Sequence, residues 1–465
     1  MNRRPHQYRE IIALSAPIAG IQFAQIALTT TDFVMMGLLG MQALAAGGLA
    51  LLLYNQFRTM CVGMVTALGN LVALSIGRSE IRGGEAGMDA QGEEEIRDLV
   101  RSALYMGTVV ALAAGCALVG LGYGLSAVGQ DAEVAALARP LMMALAPGLL
   151  PMIWLNVLRQ FAVGMRRPGS LFWVTLASIV VNALLGAIFI FGWLGVPRLG
   201  LMGIGLATTS VQVWTFLVYL RSLRKDPVLR TLLSLSFWRA RGATMGQIAK
   251  LGWPISITYG LEASVASVAA MVIGTFGPVV LAASNVVHQL AKIVYQINVG
   301  LSHGSSILVS RAMGQRKYAD IDQIAADSLV ICGIPMLAIC LAYLTVPHLV
   351  LWPFLGADAD PATVSTAVKF LWFGVAYQFL AAAQNIFIGL LRGLGNTRSG
   401  LAHTFVGYGV VGIPAILLLS HQLKLEAQGV WLGLCVAFGA TSILLWRQFR
   451  RDLEAHTRPL NAEST

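Results

Sequence analysis

The stretch from Ser170 to Leu194 reads SLFWVTLASIVVNALLGAIFIFGWL and contains no charged side chain. A helix needs about 20 apolar residues to cross the hydrocarbon core of a bilayer, and this run is long enough. Its apolar residues follow one another continuously instead of alternating with polar ones, which indicates a helix and not a strand of a membrane barrel. The stretch therefore predicts a transmembrane helix.

Runs of the same kind recur along the whole chain of 465 residues. Apolar residues make up 57% of the sequence and charged residues 12%, and the mean hydropathy is +0.72. An ordinary soluble domain carries about 25% charged residues. We predict an all-α integral membrane protein with twelve transmembrane helices, near residues 12–38, 44–76, 99–124, 138–163, 170–194, 199–221, 247–275, 281–310, 322–345, 362–391, 400–421 and 425–447.

The basic residues are unevenly distributed between the loops. The net charge is +10, and most Lys and Arg residues lie at the two termini and in the loops after spans 2, 4, 6, 8 and 10. This asymmetry is typical of membrane orientation and predicts that both termini are cytoplasmic. We therefore expect the lipid bilayer as a partner and no nucleic acid.

No pattern in the sequence predicts an enzyme or a bound cofactor. The five cysteines lie in apolar runs and the seven histidines are scattered, without the spacing of metal ligands. A glycine-rich phosphate loop, a His-Glu-x-x-His motif and a serine nucleophile elbow are all missing from the sequence.

The two halves of the chain repeat one another. One constant shift, without a gap, superposes Pro17 on Pro254, Gly40 on Gly277, Gly63 on Gly300 and Gly77 on Gly314. A second match, at a slightly shorter shift, sets Gly164 beside Gly395. Six spans separate the copies, so both have the same topology and form parallel repeats. We predict two six-helix bundles with a central cleft, over residues 1–235 and 236–449, followed by a polar tail at 450–465.

Asp32 lies in the first predicted span and Glu262 in the seventh. A charge at membrane depth costs a few kcal/mol, so such residues usually serve a function. The functional interpretation is that one or both bind and release a coupling cation. The alternative is a structural carboxylate satisfied by nearby hydroxyl groups or by a basic neighbour.

The basic residue Arg58 lies in the second predicted span and Lys292 in the eighth. They either neutralise the carboxylates or make a water-filled cavity attractive to anionic groups. Other polar residues inside the spans are candidates for the same cavity wall. With these two, the candidate substrate cavity comprises Gln22, Gln25, Asn55, Arg58, Thr208, Tyr259, His288, Lys292 and Tyr295.

The first span and its repeat resemble a known family. Pro17, the run Thr31-Asp-Phe-Val-Met-Met-Gly37 and the second copy from Pro254 through Glu262 resemble the MATE (multidrug and toxic compound extrusion) transporters of the bacterial drug-exporting type. The ending Leu391-Arg-Gly-Leu-Gly-Asn-Thr-Arg398 is also similar, and the resemblance covers essentially the full chain.

The resemblance implies a secondary antiporter of the inner membrane that exports amphipathic drugs or metabolites by rocker-switch alternating access. It implies that Asp32, Glu262, Asn182 and Tyr377 take part in ion coupling, and Thr208 matches a threonine of the sixth span. It also implies a small-molecule substrate and a monomer.

The sequence departs from the family at two positions. A carboxylate expected four residues after Tyr377 is replaced by Ala381, and a polar position one turn after Asn182 is Gly186. A site with fewer oxygen ligands suits sodium poorly. We therefore expect coupling to protons, with sodium as the alternative ion. The alternative function is a flippase or exporter for an anionic or lipid-linked metabolite, which Arg58 and Lys292 favour.

Overall fold

A computed structural model describes residues 4–83, 88–126, 130–356 and 360–462, and these residues form helices and turns without a β-strand. Long apolar helices follow one another, joined by short polar turns. The α-helices are α1 (Arg4–Leu38), α2 (Met41–Gly83), α3 (Ala90–Gly124), α4 (Ala132–Leu145), α5 (Leu149–Gly164), α6 (Leu171–Phe191), α7 (Gly200–Leu223), α8 (Pro227–Leu232), α9 (Gly242–Gly274), α10 (Pro278–Gly314), α11 (Tyr318–Thr345), α12 (Pro347–Leu355), α13 (Pro361–Gly393), α14 (Thr397–Phe405), α15 (Ile413–Leu417) and α16 (Glu426–Ala462).

The helices confirm the prediction of an all-α integral membrane protein. Eleven helical segments of the described residues are long and apolar enough to cross a membrane. The remaining predicted span, 281–310, lies within α10, which has 37 residues. Polar residues such as His288, Lys292 and Asn298 lower its hydropathy. With α10, the described part of the chain has twelve membrane-spanning segments.

Two of these segments are not regular α-helices throughout. A 3-10 turn over Ala146–Gly148 separates α4 from α5 at Pro147. π-helical turns flank α15, which contains Pro414. Proline lacks the N–H that an α-helix requires, so local changes of helix type are expected at these positions.

By their internal contacts the residues fall into two compact units. One unit comprises residues 20–256, and the other comprises residues 1–19 together with 257–465. Each unit has its own apolar core, centred on residues such as Leu68 and Phe161 in the first and Tyr408 and Trp431 in the second. The domain boundary predicted at 235/236 lies in the polar segment between α8 and α9 and stays a prediction.

The hydrogen bonds that end α5 recur at the end of α13. In both places the residue two positions beyond the helix has a left-handed φ, which is 59° at Arg166 and 81° at Gly395. Gly164 therefore corresponds to Gly393, and the sequence match between Gly164 and Gly395 is displaced by two positions. The displacement arises because the left-handed position is glycine in one copy and arginine in the other.

Close helix packing supports the same correspondence. A Cβ atom on Gly164 would lie 2.7 Å from the carbonyl oxygen of Gly69, and one on Gly393 would lie 2.8 Å from that of Ser306. Gly69 and Ser306 are related by the same shift that superposes Pro17 on Pro254. The repeat therefore relates α2 to α10 by one shift in residue number and α5 to α13 by a shorter one.

Asp89, immediately before α3, contacts both α2 and α3. Asp89 Oδ1 accepts a hydrogen bond from the backbone N–H of Gly92 at 2.9 Å and so caps α3. Arg82 Nε donates to Asp89 Oδ2 at 2.7 Å. The hydrogen bond from this guanidinium, with one from the Ser79 hydroxyl, holds the pKa of Asp89 well below its usual range.

Candidate functional site

A small cavity lies among α1, α2, α5, α6 and α7, inside the unit formed by residues 20–256. Each helix lines it with residues three or four positions apart, and such residues share one helix face. The cavity volume is about 50 Å³, which holds a few water molecules or one carboxylate group but no drug-sized molecule. Its polar lining includes Gln25, Asp32, Asn55, Arg58, Arg159 and Thr208.

Asp32 is buried at this cavity, with 3% of its surface exposed. Asn182 Nδ2 donates to Asp32 Oδ1 at 2.7 Å, and Thr208 Oγ1 lies 3.4 Å from Oδ2. The Thr208 hydroxyl has one hydrogen, and its shorter hydrogen bond, at 3.0 Å, goes to the carbonyl of Ile204. Asn182 is therefore the main partner of Asp32. The structure thus brings together three residues that the sequence analysis selected from α1, α6 and α7.

Asn182 has a buried acceptor without a partner. Its side chain is fully buried, and its Oδ1 atom makes no hydrogen bond among the described residues. Buried polar atoms are nearly always hydrogen-bonded, and an unsatisfied one needs an explanation. The orphaned oxygen belongs to the same amide group that contacts Asp32. The polar contacts around this carboxylate are therefore incomplete in this arrangement.

At Gly186, where the sequence departs from the family pattern, the neighbouring space is occupied by a methionine. A Cβ atom built on Gly186 would collide with the sulfur of Met35, which lies on α1 one turn after Asp32. The thioether therefore occupies the space into which a longer side chain at position 186 would extend. Sulfur is a soft and weak ligand, whereas sodium and other hard cations prefer oxygen.

Two arginines also line the cavity. Arg58 Nε donates to Asn55 Oδ1 at 3.1 Å, and both residues line the cavity from α2. Arg159 lines it from α5 and is 5% exposed. Arg159 is missing from the sequence-based candidates although the predicted span 138–163 contains it, because its place near the end of that span groups it with the basic residues of the following loop. The signal that could have found it is the predicted span itself, because a charged residue inside a span usually serves a function.

Glu262 lies in the other unit, on α9. The hydroxyl of Tyr295 donates a hydrogen bond to its carboxylate, and Tyr295 is also in hydrogen-bonding contact with Asn385. Tyr377 is 9% exposed, and its ring packs against Phe438 with the ring centres 4.7 Å apart. Glu262 thus has phenolic and amide surroundings on α9, α10 and α13, whereas Asp32 has an amide and a hydroxyl.

The remaining predicted cavity residues are divided between the units. Gln22 is half-buried on α1 and does not line the cavity. Tyr259 is half-buried on α9 and lies within electrostatic range of Tyr295. His288 is half-buried and Lys292 is exposed, one turn apart on α10. Of the nine predicted residues, the cavity contains Gln25, Asn55, Arg58 and Thr208.

Comparison with known proteins places this arrangement in a family. The MatE family model matches residues 17–188 and 254–418, so its two matched segments begin at Pro17 and Pro254, the pair that the sequence repeat superposes. A probable multidrug resistance protein NorM of Pseudomonas aeruginosa is 31% identical, with 96% of this chain and 90% of that protein covered. Another, from Bradyrhizobium diazoefficiens, is 30% identical, with 97% and 94% covered.

Solved structures share the fold. An outward-facing multidrug resistance MATE family transporter superposes with a TM-score of 0.84 at 18% identity, covering 97% of each chain. A MOP superfamily transporter from Pyrococcus furiosus, described as having a binding pocket of reversed polarity, gives 0.82 at 18% identity and the same coverage. At this identity the likeness concerns the fold alone. The family match and the two relatives, over nearly the full length of the chain, show that this membrane protein belongs to the MATE family of multidrug efflux transporters.

Proposed function

We propose that this protein is a secondary antiporter that exports amphipathic drugs or metabolites in exchange for protons by alternating access of a rocker-switch type. In this proposal it is a monomer in the inner membrane, with both termini in the cytoplasm, and catalyses no chemical reaction. The single observation that carries the proposal is the buried Asp32 carboxylate beside a cavity, paired with an amide that is incompletely hydrogen-bonded.

The Asp32–Asn182 pair can serve both protonation states of the carboxyl group. Asn182 Nδ2 donates to Asp32 Oδ1, as suits an ionised carboxylate. A flip of the amide would present its oxygen instead, and this oxygen accepts a hydrogen bond from a protonated carboxyl group. An acid that finds a partner in either state can bind and release a proton during a cycle without losing its hydrogen bond.

The ligands around Asp32 support protons over sodium as the coupling ion. Beside the two Asp32 oxygens, the contacts that the structure provides are Asn182 and the weakly placed Thr208, and the sulfur of Met35 occupies the space beside Gly186. Hard cations need several oxygen ligands. In the other unit Ala381 stands where the family pattern has a carboxylate, which removes a further oxygen.

Transport by purified protein in proteoliposomes tests the proposal. Efflux of a fluorescent amphipathic cation is measured under an imposed pH gradient or an imposed sodium gradient. We expect the pH gradient to drive efflux, and Asp32→Asn and Glu262→Gln each to lower it at least about tenfold. The control Asp322→Asn removes a carboxylate of a surface ion pair with Arg450 and should transport as the wild type does. Wild-type transport by both site variants would exclude these carboxylates from coupling.

A second candidate function is export or flipping of an anionic or lipid-linked metabolite. The observation that favours it is the pair Arg58 and Arg159 at the cavity wall. Drug accumulation in a hypersensitive strain, with and without a proton uncoupler, separates the two functions. Accumulation that rises with the uncoupler supports the drug antiporter, and accumulation that changes with neither the protein nor the uncoupler supports the second candidate.

A further inference from the structure

A second and larger cavity lies among α2, α3 and the start of α9, inside the unit of residues 20–256. In the proposed topology this end of the helices faces the cytoplasm. The cavity volume is about 430 Å³, which is large enough for a small organic molecule. Its polar lining includes Gln91, Glu94, Glu95, Asp98, Arg241 and Gln247, and none of these residues has a role in the proposed antiport.

Two carboxylates on one face of α3 point toward this cavity without a close arginine. Gln91, Glu95 and Asp98 are four and three positions apart, so their side chains follow one another along the helix. The neighbouring Glu94 differs from them, because Arg101 Nη2 donates to its carboxylate at 2.5 Å. Glu95 and Asp98 are therefore the carboxylates of this wall that can serve a ligand.

The half-buried Glu95 has neutral hydrogen-bond partners. Ser75 Oγ donates to Oε2 at 2.7 Å, and Gln91 Nε2 donates to Oε1 at 3.4 Å. Arg82 lies within electrostatic range of Glu95, but its guanidinium group is hydrogen-bonded to Asp89. Each carboxylate oxygen accepts more than one hydrogen bond, so Glu95 can take a further donor.

Asp98 is 5% exposed, and one of its oxygens is unsatisfied. Thr244 Oγ1 donates to Oδ2 at 2.5 Å, whereas Oδ1 makes no hydrogen bond among the described residues. Arg241 Nε lies 3.9 Å from Oδ1, beyond hydrogen-bonding distance, and the Arg241 side chain is 68% exposed. A buried acceptor without a donor is costly. Arg241 therefore holds Asp98 loosely, and its exposed side chain is free to give way to a better donor.

These features suit a cation with several N–H groups. Among the described residues no group of three or more His, Cys, Asp or Glu side chains could hold a metal ion. An alkylammonium group has three N–H donors, and its hydrogen bonds to a carboxylate are charge-assisted. Glu95 and Asp98 can each accept from one such group. Leu71, Leu74 and Leu99 line the same cavity and offer apolar contacts for the methylene groups between two ammonium groups.

We infer that this cavity binds a primary alkyl diamine, with one ammonium group on Asp98 and the other on Glu95, and that the diamine displaces Arg241. The bound diamine supplies the hydrogen bond that Asp98 Oδ1 lacks and neutralises both carboxylates. The inference goes beyond the proposed antiporter and does not depend on it, because neither Asp32 nor Glu262 takes part.

A matched pair of dications tests the site. The probes are 1,6-diaminohexane and hexamethonium, which have the same six-carbon chain and the same charge, but hexamethonium has methyl groups in place of N–H donors. Each is titrated by calorimetry into the purified full-length protein in nanodiscs of zwitterionic lipid, without any ion gradient. We expect the diamine to bind at least about tenfold more tightly, because the site supplies hydrogen-bond acceptors. Equal binding of the two probes, or no binding of the diamine, would overturn the inference.

Three variants probe the residues of the site. Asp98→Asn and Glu95→Gln should each weaken binding of the diamine about tenfold or more, because each removes a charge that an ammonium group contacts. Arg241→Gln should strengthen this binding several-fold, because the competing guanidinium group is gone. An arginine with a merely structural role would not give tighter binding when it is removed. Unchanged or weaker binding by Arg241→Gln therefore contradicts the displacement, and unchanged binding by both carboxylate variants contradicts the site.

Two control variants change carboxylates outside this cavity. Glu93→Gln alters a carboxylate of the same helix that pairs with Arg97, and Asp32→Asn alters the carboxylate of the smaller cavity. Both should bind the diamine within about twofold of the wild type, and loss of binding in Asp32→Asn would assign the diamine to the smaller cavity instead. Thermal unfolding without ligand shows that each variant is folded. A failure of proton-driven efflux in liposomes would remove the proposed antiport and leave this titration unaffected.

Discussion

Removal of the Asn182 amide should impair coupled efflux far more than removal of the Thr208 hydroxyl. Asn182→Ala deletes a hydrogen bond of 2.7 Å to a buried carboxylate. Hydrogen bonds to charged groups contribute about 1.5–3 kcal/mol, so the ionised state of Asp32 becomes about 10- to 100-fold less accessible. Thr208→Val deletes a contact of 3.4 Å from a hydroxyl whose hydrogen is closer to the carbonyl of Ile204. We expect a loss of about 1 kcal/mol or less, and an efflux change of a few-fold.

The assay is proton-driven efflux of a fluorescent amphipathic cation from proteoliposomes, with kcat/KM compared between the variants. Asn182→Ala also removes the orphaned Oδ1 atom, so the lost hydrogen bond is partly offset in the folding free energy and thermal unfolding should shift little. Loss of transport in Asn182→Ala with near-normal unfolding supports the reasoning. An effect of Thr208→Val equal to or larger than that of Asn182→Ala would refute it.

Three further predictions address ion choice, packing and the polar loop. The double variant Gly186→Asp with Met35→Ala adds a carboxylate and removes the sulfur that occupies its space. Efflux from the same liposomes should then respond to a sodium gradient. Efflux by the control variant Met35→Ala should stay proton-driven. Gly393→Ala should destabilise the protein by about 1–3 kcal/mol in thermal unfolding, because its Cβ atom meets backbone at 2.8 Å, whereas Gly120→Ala, with open space around it, should be neutral or slightly stabilising. Asp89→Asn keeps the cap of α3 but loses the charge, so it should lower the unfolding temperature at pH 6, and the difference from the wild type should start to shrink only below about pH 4, the ordinary pKa of an aspartate. The pKa of Asp89 is lower in the folded protein than in the unfolded chain. The resulting stabilisation is complete when the pH is above the pKa of the unfolded chain, and it disappears as the pH falls through the pKa of the folded protein.

The two carboxylates are not equivalent parts of the two repeats. Asp32 on α1 has an amide partner from α6, and Glu262 on α9 has a phenol partner from α10. The repeat therefore preserves backbone packing, as the ends of α5 and α13 show, but leaves each carboxylate with a different chemistry. Variants of the two acids need not have the same phenotype, and each requires its own control.

The repeat also illustrates a limit of matching by sequence. The shift that superposes α2 on α10 agrees with the packing of Gly69 and Ser306. The match that sets Gly164 beside Gly395 does not agree with the hydrogen bonds, which pair Gly164 with Gly393. Glycine recurs at both Gly393 and Gly395, one for close packing and the other for a left-handed φ, and sequence cannot distinguish these two uses.

The sequence by itself determined that the chain is an all-helical membrane protein with twelve spans and an internal repeat, and it singled out Asp32 and Glu262. These properties are local, because lipid as the solvent imposes hydropathy on each span separately. The tertiary structure alone decided which side chains meet. Asn182 reaches Asp32 from a distant part of the sequence, Met35 fills the space beside Gly186, and Arg159 becomes a cavity residue. Such contacts depend on how helix faces from distant parts of the chain pack together, and no pattern within one span specifies that packing.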